Sequence, residues 1–192
     1  RIEDCGGILG FKVGPDHQKL SQAFLCHNRY CPICSWRSSL RLSTDNYKIL
    51  DNYIKQDKDN RLIFLTLTIR NCSGNNLKRT INALNEGFRK IRKRTVYKEN
   101  FTGAIKTLEI TVNKKDLSFH PHLHVILSCK NSYFSKNNKS YLQTRDWACI
   151  WAKSIKQSYS IVDARSVKNN DIWNANLEIS KYVAKDSDYL LF

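Results

Sequence analysis

The sequence predicts an α+β fold. Runs of alternating or β-branched residues predict strands, and apolar residues three or four positions apart predict helices. The predicted strands are residues 8–13, 20–25, 62–70, 103–113, 120–127 and 161–167, and the predicted helices are residues 36–56, 77–94, 143–157 and one that begins near residue 171. The polar turn at residues 113–116 is short, so we expect the strands on either side of it to pair antiparallel.

The first predicted helix is followed by the charged loop 57–61, where we place a domain boundary. The expected apolar stripe of this helix consists of Leu40, Tyr47, Leu50 and Ile54. We therefore expect an N-terminal unit at residues 1–58 and a larger unit, built on the main strands, at residues 59–192.

The chain carries a large positive charge. It contains 32 lysine and arginine residues against 17 aspartate and glutamate residues, which gives a formal net charge of +15. Such a surplus indicates a polyanionic partner, with nucleic acid as the first candidate; a generally basic, well-solvated surface is the alternative. The candidate DNA-binding residues are Arg37, Arg41, Arg89, Lys90, Arg92, Lys93 and Arg94.

The hydropathy pattern argues against a membrane protein. No apolar stretch approaches the ~20 residues that a spanning helix needs, and no signal peptide is visible. We therefore expect a cytoplasmic protein without a membrane partner. The sequence contains no methionine, so we also expect it to be part of a longer chain.

Three of the five histidines lie in one pentapeptide, residues 120–124 (HPHLH). Side chains alternate between the faces of a strand, so His120, His122 and His124 share one face. Neutral imidazoles are ready metal ligands near neutral pH. The pentapeptide therefore predicts a metal site, and a polar strand face without an ion is the alternative.

Glu109 is a candidate third ligand for this site. It lies in the middle of the strand 103–113, where a carboxylate flanked by apolar residues needs a reason. Antiparallel pairing across the following turn brings it alongside His122 and His124. Two imidazoles and one carboxylate leave coordination positions open, as in catalytic sites. A strand-edge carboxylate paired with Lys106 is the alternative.

Four of the seven cysteines have the spacing of a structural zinc site: Cys5, Cys26, Cys31 and Cys34. The hairpin 8–25 is expected to carry the first two towards the knuckle formed by the last two, and four thiolates make a closed tetrahedral site. His27 is an alternative fourth ligand in place of Cys5. A redox Cys-x-x-Cys motif is the other reading, but the strand–helix context of thioredoxin-like proteins is missing.

The last predicted helix contains a carboxylate, a tyrosine and a lysine on one face. Glu178 and Tyr182 are four residues apart, and Lys185 follows one turn later. A tyrosine in this setting can act as a nucleophile if its phenolate is stabilised. The alternative is a half-buried tyrosine with salt-bridging neighbours.

Taken in order, residues 64–68 (FLTLT), 120–124 (HPHLH) and 178–185 (EISKYVAK) resemble the three motifs of rolling-circle replication initiators of the HUH endonuclease superfamily. Residues 26–37 resemble the N-terminal region of the subfamily encoded by small plasmids of Gram-positive bacteria. The resemblance implies a central antiparallel sheet that exposes the histidines on one face and has its helices behind, together with an N-terminal zinc-knuckle subdomain.

The resemblance also implies a metal-dependent, site-specific nickase of single-stranded DNA. By position, His122 and His124 match the ligands of a catalytic Mn²⁺ or Mg²⁺, and Tyr182 matches the nucleophile that forms a 5′-phosphotyrosine and frees a 3′-OH. Glu178 stands where the subfamily has a glutamate that activates water or assists termination. Lys185 is expected to stabilise phenolate or phosphate.

Other features of this reading stay open. His120 is a scaffold residue, an outer-shell residue or a phosphate contact, and Tyr189 is the competing nucleophile. The expected partners are a single-stranded or stem-loop origin DNA and, from the family, a host helicase. The rival functions are an HUH transposase or relaxase, a non-catalytic zinc-ribbon DNA-binding regulator, and a zinc hydrolase with two histidines and one glutamate. Relaxases place the tyrosine before the histidines, and a regulator forms no covalent adduct with DNA.

Overall fold

The computed structural model describes residues 2–28 and 31–180. In chain order, its elements are β1 (Leu9–Val13), β2 (Gln18–Ala23), α1 (Pro32–Gln56), β3 (Asn60–Thr68), α2 (Gly74–Arg92), α3 (Thr95–Asn100), β4 (Phe101–Val112), β5 (Phe119–Lys130), a 3₁₀ turn (Asn131–Phe134), α4 (Thr144–Ser154), β6 (Val162–Val167), a second 3₁₀ turn (Asn169–Asp171) and α5 (Ile172–Ser180). The predicted α+β class is confirmed. The short helix α3 was not predicted, because six residues are too few to show a helical period.

Four strands form one antiparallel sheet in the order β4–β5–β3–β6. In its register, Glu109 of β4 lies opposite His122 of β5, and Thr107 lies opposite His124. On the other side of β5, Thr66 of β3 is the partner of His124. The predicted pairing across the 113–116 turn is thus confirmed, and it places the candidate ligands on neighbouring strands.

Helices α2 and α4 cover the face of the sheet to which Leu123, Val125 and Leu127 point. These three residues belong to one buried apolar cluster with the helix residues Leu84, Phe88, Ile91, Trp147, Trp151 and Ile155. The two tryptophans are at most 1% exposed, which confirms their predicted place in the core. We call this side the α2/α4 face.

Helices α1 and α5 lie against the opposite side, which we call the α1/α5 face. Phe64 and Ile126 of the sheet pack there against Leu50 of α1 and Ile179 of α5. Helices therefore cover both faces, whereas the resemblance implied helices on one face only. The reason is local: the strand residues next to the histidines on this face are also apolar, and they must be covered.

The predicted apolar stripe of α1 is wrong at Leu40, which is 49% exposed. Ser43 and Asn46 are buried in α1 instead. From α5, the amide of Asn176 donates to the backbone oxygen of Ser43 at 2.9 Å and to its hydroxyl at 3.0 Å. The stripe residues Tyr47, Leu50 and Ile54 do pack against the sheet as predicted, and polar pairing with α5 replaces apolar packing only nearer the start of α1.

The N-terminal hairpin pairs β1 with β2 in a separate two-stranded sheet. The hairpin precedes the cysteine knuckle at the start of α1. The expected division of the chain into two units, residues 1–58 and 59–192, stays a prediction. Among the described residues, no helix combines the length and the apolar character that crossing a membrane requires.

Candidate active site

Glu109, His122 and His124 form a compact cluster at the edge of the α1/α5 face. One ligand atom from each residue lies within 4.8 Å of the others. The Nε2 atom of His124 is 2.9 Å from Oε2 of Glu109, and Nε2 of His122 contacts the same oxygen. Glu109 is 5% exposed and His124 4% exposed, so water screens this cluster weakly.

Neighbouring groups fix the orientation of both imidazole rings. Nδ1 of His122 lies 3.2 Å from the backbone oxygen of His120, to which it donates when it carries the ring proton. Nδ1 of His124 is 3.3 Å from the hydroxyl of Thr66. When Nδ1 carries the ring proton in both histidines, both Nε2 lone pairs point towards the Glu109 carboxylate. Two lone pairs and a carboxylate aimed at one point are stable together only with a cation or proton between them.

His120 lies outside this ligand cluster. Its Nδ1 atom contacts the side-chain oxygen of Asn71, and the amide of Asn71 donates to the Ser118 hydroxyl at 3.2 Å. Burial lowers the pKa of His120. The contact with Asn71 favours a supporting role for His120 over a ligand role.

The alternative pairing of Glu109 with Lys106 is wrong. The Lys106 ammonium donates to the side-chain oxygen of Asn85 at 2.5 Å, on the α2/α4 face. Residues three apart on a strand point to opposite faces, so these two side chains cannot meet.

Glu178 lies on α5 and is not part of the ligand cluster. Its carboxylate forms an ion pair with Arg165 of β6. The guanidinium of Arg165 lies over the Phe64 ring, 4.7 Å from its centroid, and that ring is 5.6 Å from the His124 ring. A chain of contacts thus connects α5 with the histidines.

The remaining residues predicted from the last motif, Tyr182, Lys185 and Tyr189, lie outside the described residues.

The structure brings the four predicted cysteines together. The sulfur of Cys34 is 3.5 Å from that of Cys5 and 3.7 Å from that of Cys26, and Cys31 completes a group whose sulfurs all lie within 4.8 Å of one another. His27, the alternative ligand, is exposed and is not a member of this group. This cysteine group connects the residues on either side of the hairpin to the start of α1.

The thiols of this group differ in acidity. The hydrogen bond from the Cys34 backbone lowers the pKa of Cys31 to about 7. At Cys5 the Cys26 backbone hydrogen bond acts in the same direction, but burial and the adjacent thiols outweigh it and raise the pKa to about 12. Four crowded thiols cannot all ionise unless a cation compensates their charge.

The predicted DNA-binding residues divide into separate places. Arg37 and Arg41 are exposed near the start of α1, and the others lie at or just beyond the end of α2. Lys90 instead contacts another helix. Its ammonium donates to the backbone oxygen of Ser154, the last residue of α4, at 3.0 Å.

Three residues of the site were missed from the sequence: Thr66, Asn71 and Arg165. Thr66 lies within the FLTLT motif, and the β3–β5 register that pairs it with His124 would have identified it. Asn71 and Arg165 act through contacts between distant parts of the chain, and no local pattern marks them.

Comparison with known proteins assigns the family. A family profile described as Replication protein (Rep_1) matches residues 17–191. A "Protein rep" of Streptococcus pneumoniae serotype 2 (strain D39) is 38% identical over 189 residues, which cover 96% of this chain and 59% of that protein. A "Protein rep" of Lactiplantibacillus plantarum is 37% identical over 197 residues, covering 98% of this chain and 62% of that protein.

A third relative, a "Protein rep" of Staphylococcus aureus, is 36% identical over 194 residues, with 99% of this chain and 83% of that protein covered. The chain spans 59% and 62% of the length of the first two relatives. No solved structure shows a significant match to it. The chain belongs to the Rep_1 family of replication proteins.

Proposed function

We propose that this chain is the nicking part of a plasmid rolling-circle replication initiator with an HUH endonuclease site. The observation that carries the proposal is the convergence of two histidine Nε2 atoms on one Glu109 oxygen. The three residues are nearly buried and lie on neighbouring antiparallel strands. The net charge of +15 supports DNA as the substrate, and membership of a replication protein family supports the cellular role.

The donor set fits a catalytic divalent ion. His122 and His124 offer nitrogen, Glu109 offers oxygen, and three protein ligands leave positions open for substrate. We propose Mn²⁺ or Mg²⁺, which when bound polarises the scissile phosphate and neutralises charge. The role of this chain is to hold the three ligand atoms in place, with Thr66 and the backbone of His120 fixing the rings.

Tyr182 is the proposed nucleophile. Its phenolate oxygen forms a bond to the scissile phosphorus while the bond from phosphorus to the 3′ oxygen breaks, and that oxygen takes up a proton. The products are a 5′-phosphotyrosine on the protein and a free 3′-OH for priming. Transfer of the DNA to another 3′-OH reverses these steps and completes strand transfer.

The surroundings of Glu178 support this assignment. Arg165, its ion-pair partner, lies beside Phe64 in the sheet, and Phe64 is two residues from Thr66, which contacts His124. Tyr182 follows Glu178 by four residues, one helical turn in sequence. Glu178 is proposed to activate water or assist termination, and Lys185 to stabilise phenolate or phosphate.

The four cysteines are proposed to bind a structural zinc ion. Their sulfurs form a closed group within 4.8 Å, and thiolates in this number satisfy a tetrahedral zinc ion. Metal analysis is expected to find one tightly bound zinc per chain, which Cys34→Ser reduces. Absence of zinc from the native protein would remove this assignment.

The proposed partner is a single-stranded or stem-loop replication origin, with Arg37, Arg41 and the basic end of α2 as candidate contacts. A host helicase is expected from the family resemblance alone. A bacterial cytoplasmic location is proposed on the membership of a replication protein family.

The test is covalent capture of DNA. The protein is incubated with Mn²⁺ and a pool of single-stranded stem-loop oligonucleotides, and a denaturation-resistant adduct is mapped. Tyr182→Phe is expected to abolish the adduct, and the matched variant Tyr189→Phe to retain it. An adduct on Tyr189 would preserve the function but move the nucleophile. Tight DNA binding without any adduct would favour the non-catalytic regulator.

A second experiment tests the ligand role of Glu109. Glu109→Gln keeps the size of the side chain but removes the charge, so it is expected to weaken Mn²⁺ binding at least tenfold and to reduce adduct formation. Glu99→Gln, at an exposed position on α3, is the control. Unchanged Mn²⁺ affinity and nicking in Glu109→Gln would take Glu109 off the ligand set.

A further inference from the structure

A basic groove lies where the end of α2 and the helix α3 meet the first residues of β4. Its volume is about 470 Å³. The charged side chains that line it are Arg89, Arg92, Lys93 and Lys98. The wall on the sheet side is formed by residues 102–104, next to a bulge in the β4–β5 pairing.

The charge of this groove is largely uncompensated. Its lining, all of it within the described ranges, contains four basic side chains and no acidic one. Arg89 contacts a carboxylate beside the groove, that of Glu86, at 2.5 Å, and both side chains are more than half exposed. Several exposed cations around one concavity repel each other, and a polyanion with regularly spaced charges relieves that repulsion. The phosphodiester backbone of a nucleic acid is such a polyanion.

The aromatic residues of the groove indicate which form of nucleic acid fits. Tyr97 and Phe101 are each 6% exposed, and their rings pack into the core against Phe88, Tyr133 and Trp147. Proteins that prefer single strands present aromatic faces for base stacking, and buried rings cannot do this. What the groove offers to DNA is therefore its accessible cations, which contact phosphates. A duplex presents its phosphates while its bases remain stacked.

The groove is on the side of the sheet away from the candidate active site. Phe88 and Ile91 bury α2 on the α2/α4 face, whereas His122 and His124 point away from that face, because their neighbour Leu123 points into it. Between the two sites lies β4, the strand at one end of the sheet order. We therefore expect DNA that occupies both sites to pass around the edge of β4.

We propose that this groove binds the sugar–phosphate backbone of duplex DNA, independently of sequence, while the opposite face holds the strand to be nicked. The inference rests on the proposed function for the identity of the polyanion. Its role is to anchor the duplex part of a stem-loop beside the cleavage site.

The test measures binding without cleavage. Fluorescence anisotropy with a labelled duplex of arbitrary sequence, in the absence of divalent metal, gives the dissociation constant over a series of salt concentrations. Each phosphate contact contributes about 0.9 to the slope of log K against log salt. The double variant Arg92→Gln/Lys93→Gln is therefore expected to reduce that slope by about 2 and to weaken binding on the order of tenfold or more at 0.1 M salt.

The matched control is Lys78→Gln/Arg79→Gln, which removes the same charge from exposed positions at the other end of α2. It is expected to leave the slope nearly unchanged. A single variant on a different element, Lys98→Gln, is expected to reduce the slope by about 1, which guards against a folding defect in the double variant.

Three results would overturn the proposal. Equal losses in the groove variant and the control would show that net charge alone matters. An unchanged slope in the groove variant would show that no phosphate binds there. A loss confined to single-stranded DNA of the same sequence would overturn the assignment to duplex. Because no nicking is measured, failure to find an adduct in the covalent capture experiment leaves this test intact.

Discussion

The two faces of the main sheet are built differently, although the same strands supply both. The α2/α4 face is apolar, and Leu123, Val125 and Leu127 of β5 are at most 1% exposed there. On the α1/α5 face, β5 presents His122 and His124 beside the buried Ile126. Helices α1 and α5 meet there partly through polar contacts, such as that between Asn176 and Ser43.

The two faces therefore have different roles: the α2/α4 face contributes mainly to folding stability, and the α1/α5 face also carries the candidate active site. Burial of apolar side chains is the dominant stabilising term in folding, and the α2/α4 face supplies it with large residues such as Trp151 and Phe88. The α1/α5 face carries buried polar groups that are incompletely paired. Within the described part of the chain, Oδ1 of Asn176 and Oγ of Ser180 are buried without a hydrogen-bond partner. We therefore expect substitutions on the α2/α4 face to affect stability most.

The largest effect is expected from Trp151→Ala. This residue is fully buried, and its indole N–H donates to the backbone oxygen of Thr68 at 2.6 Å. The substitution should lower the free energy of unfolding by about 3–5 kcal/mol, as measured by urea denaturation. Trp173→Ala, at a position 48% exposed on α5, should cost about 1 kcal/mol or less. Equal losses would contradict the role of buried Trp151 as a main source of stability in the α2/α4 face.

Gly87→Ala should be the next most damaging change. An added Cβ would lie 2.6 Å from Cγ2 of Ile155 and 2.7 Å from Cζ3 of Trp151. Overpacking of this kind costs about 1–3 kcal/mol and outweighs the gain of about 1 kcal/mol in helix propensity. Gly74→Ala, in the same helix, meets only the Phe119 ring at 3.4 Å and should not destabilise the protein. A stabilised Gly87→Ala protein would show that α2 is packed more loosely than the structure indicates.

On the α1/α5 face, Asn176→Ala should have a smaller effect. It removes two hydrogen bonds to Ser43 but also removes an unpartnered buried oxygen, so we expect a loss of about 1 kcal/mol. Asn174→Ala, at an exposed position with a local contact to Asp171, should stay within about 0.5 kcal/mol. A loss as large as that of Trp151→Ala would make the polar contact between α1 and α5 a main source of stability.

The smallest effect is expected for an ion pair that belongs to neither face. Lys130 donates to Asp57 at 2.7 Å and lowers the pKa of that carboxyl from its usual value near 3.8. A lowered pKa in the folded state stabilises the protein above the unfolded pKa, and this stabilisation is lost as the pH falls through the folded pKa. Asp57→Asn should therefore lower the melting temperature slightly at neutral pH and not at all in strong acid. A difference that persists in acid would need another cause.

Local patterns were sufficient for most of the elements and for the composition of the candidate site. Hydrophobic periodicity predicted the long helices, and strand alternation placed His122 and His124 on one face with Leu123 on the other. Cysteine spacing identified Cys5 and Cys26 as partners of the knuckle. These predictions succeed because each depends on the spacing of residues along the chain. In a helix or strand, that spacing determines the direction in which the side chains point.

The sequence by itself determined that Glu109, two histidines and four cysteines were available as ligands, and that the charge was basic. Only the tertiary structure decided that Leu40 stays exposed, that Lys106 contacts Asn85 of α2, and that Arg165 pairs with Glu178. It also divided the basic residues at the end of α2 between a contact to α4 and an open groove. The physical reason is that such contacts join residues far apart in sequence, and their geometry is set by how the helices pack on the sheet.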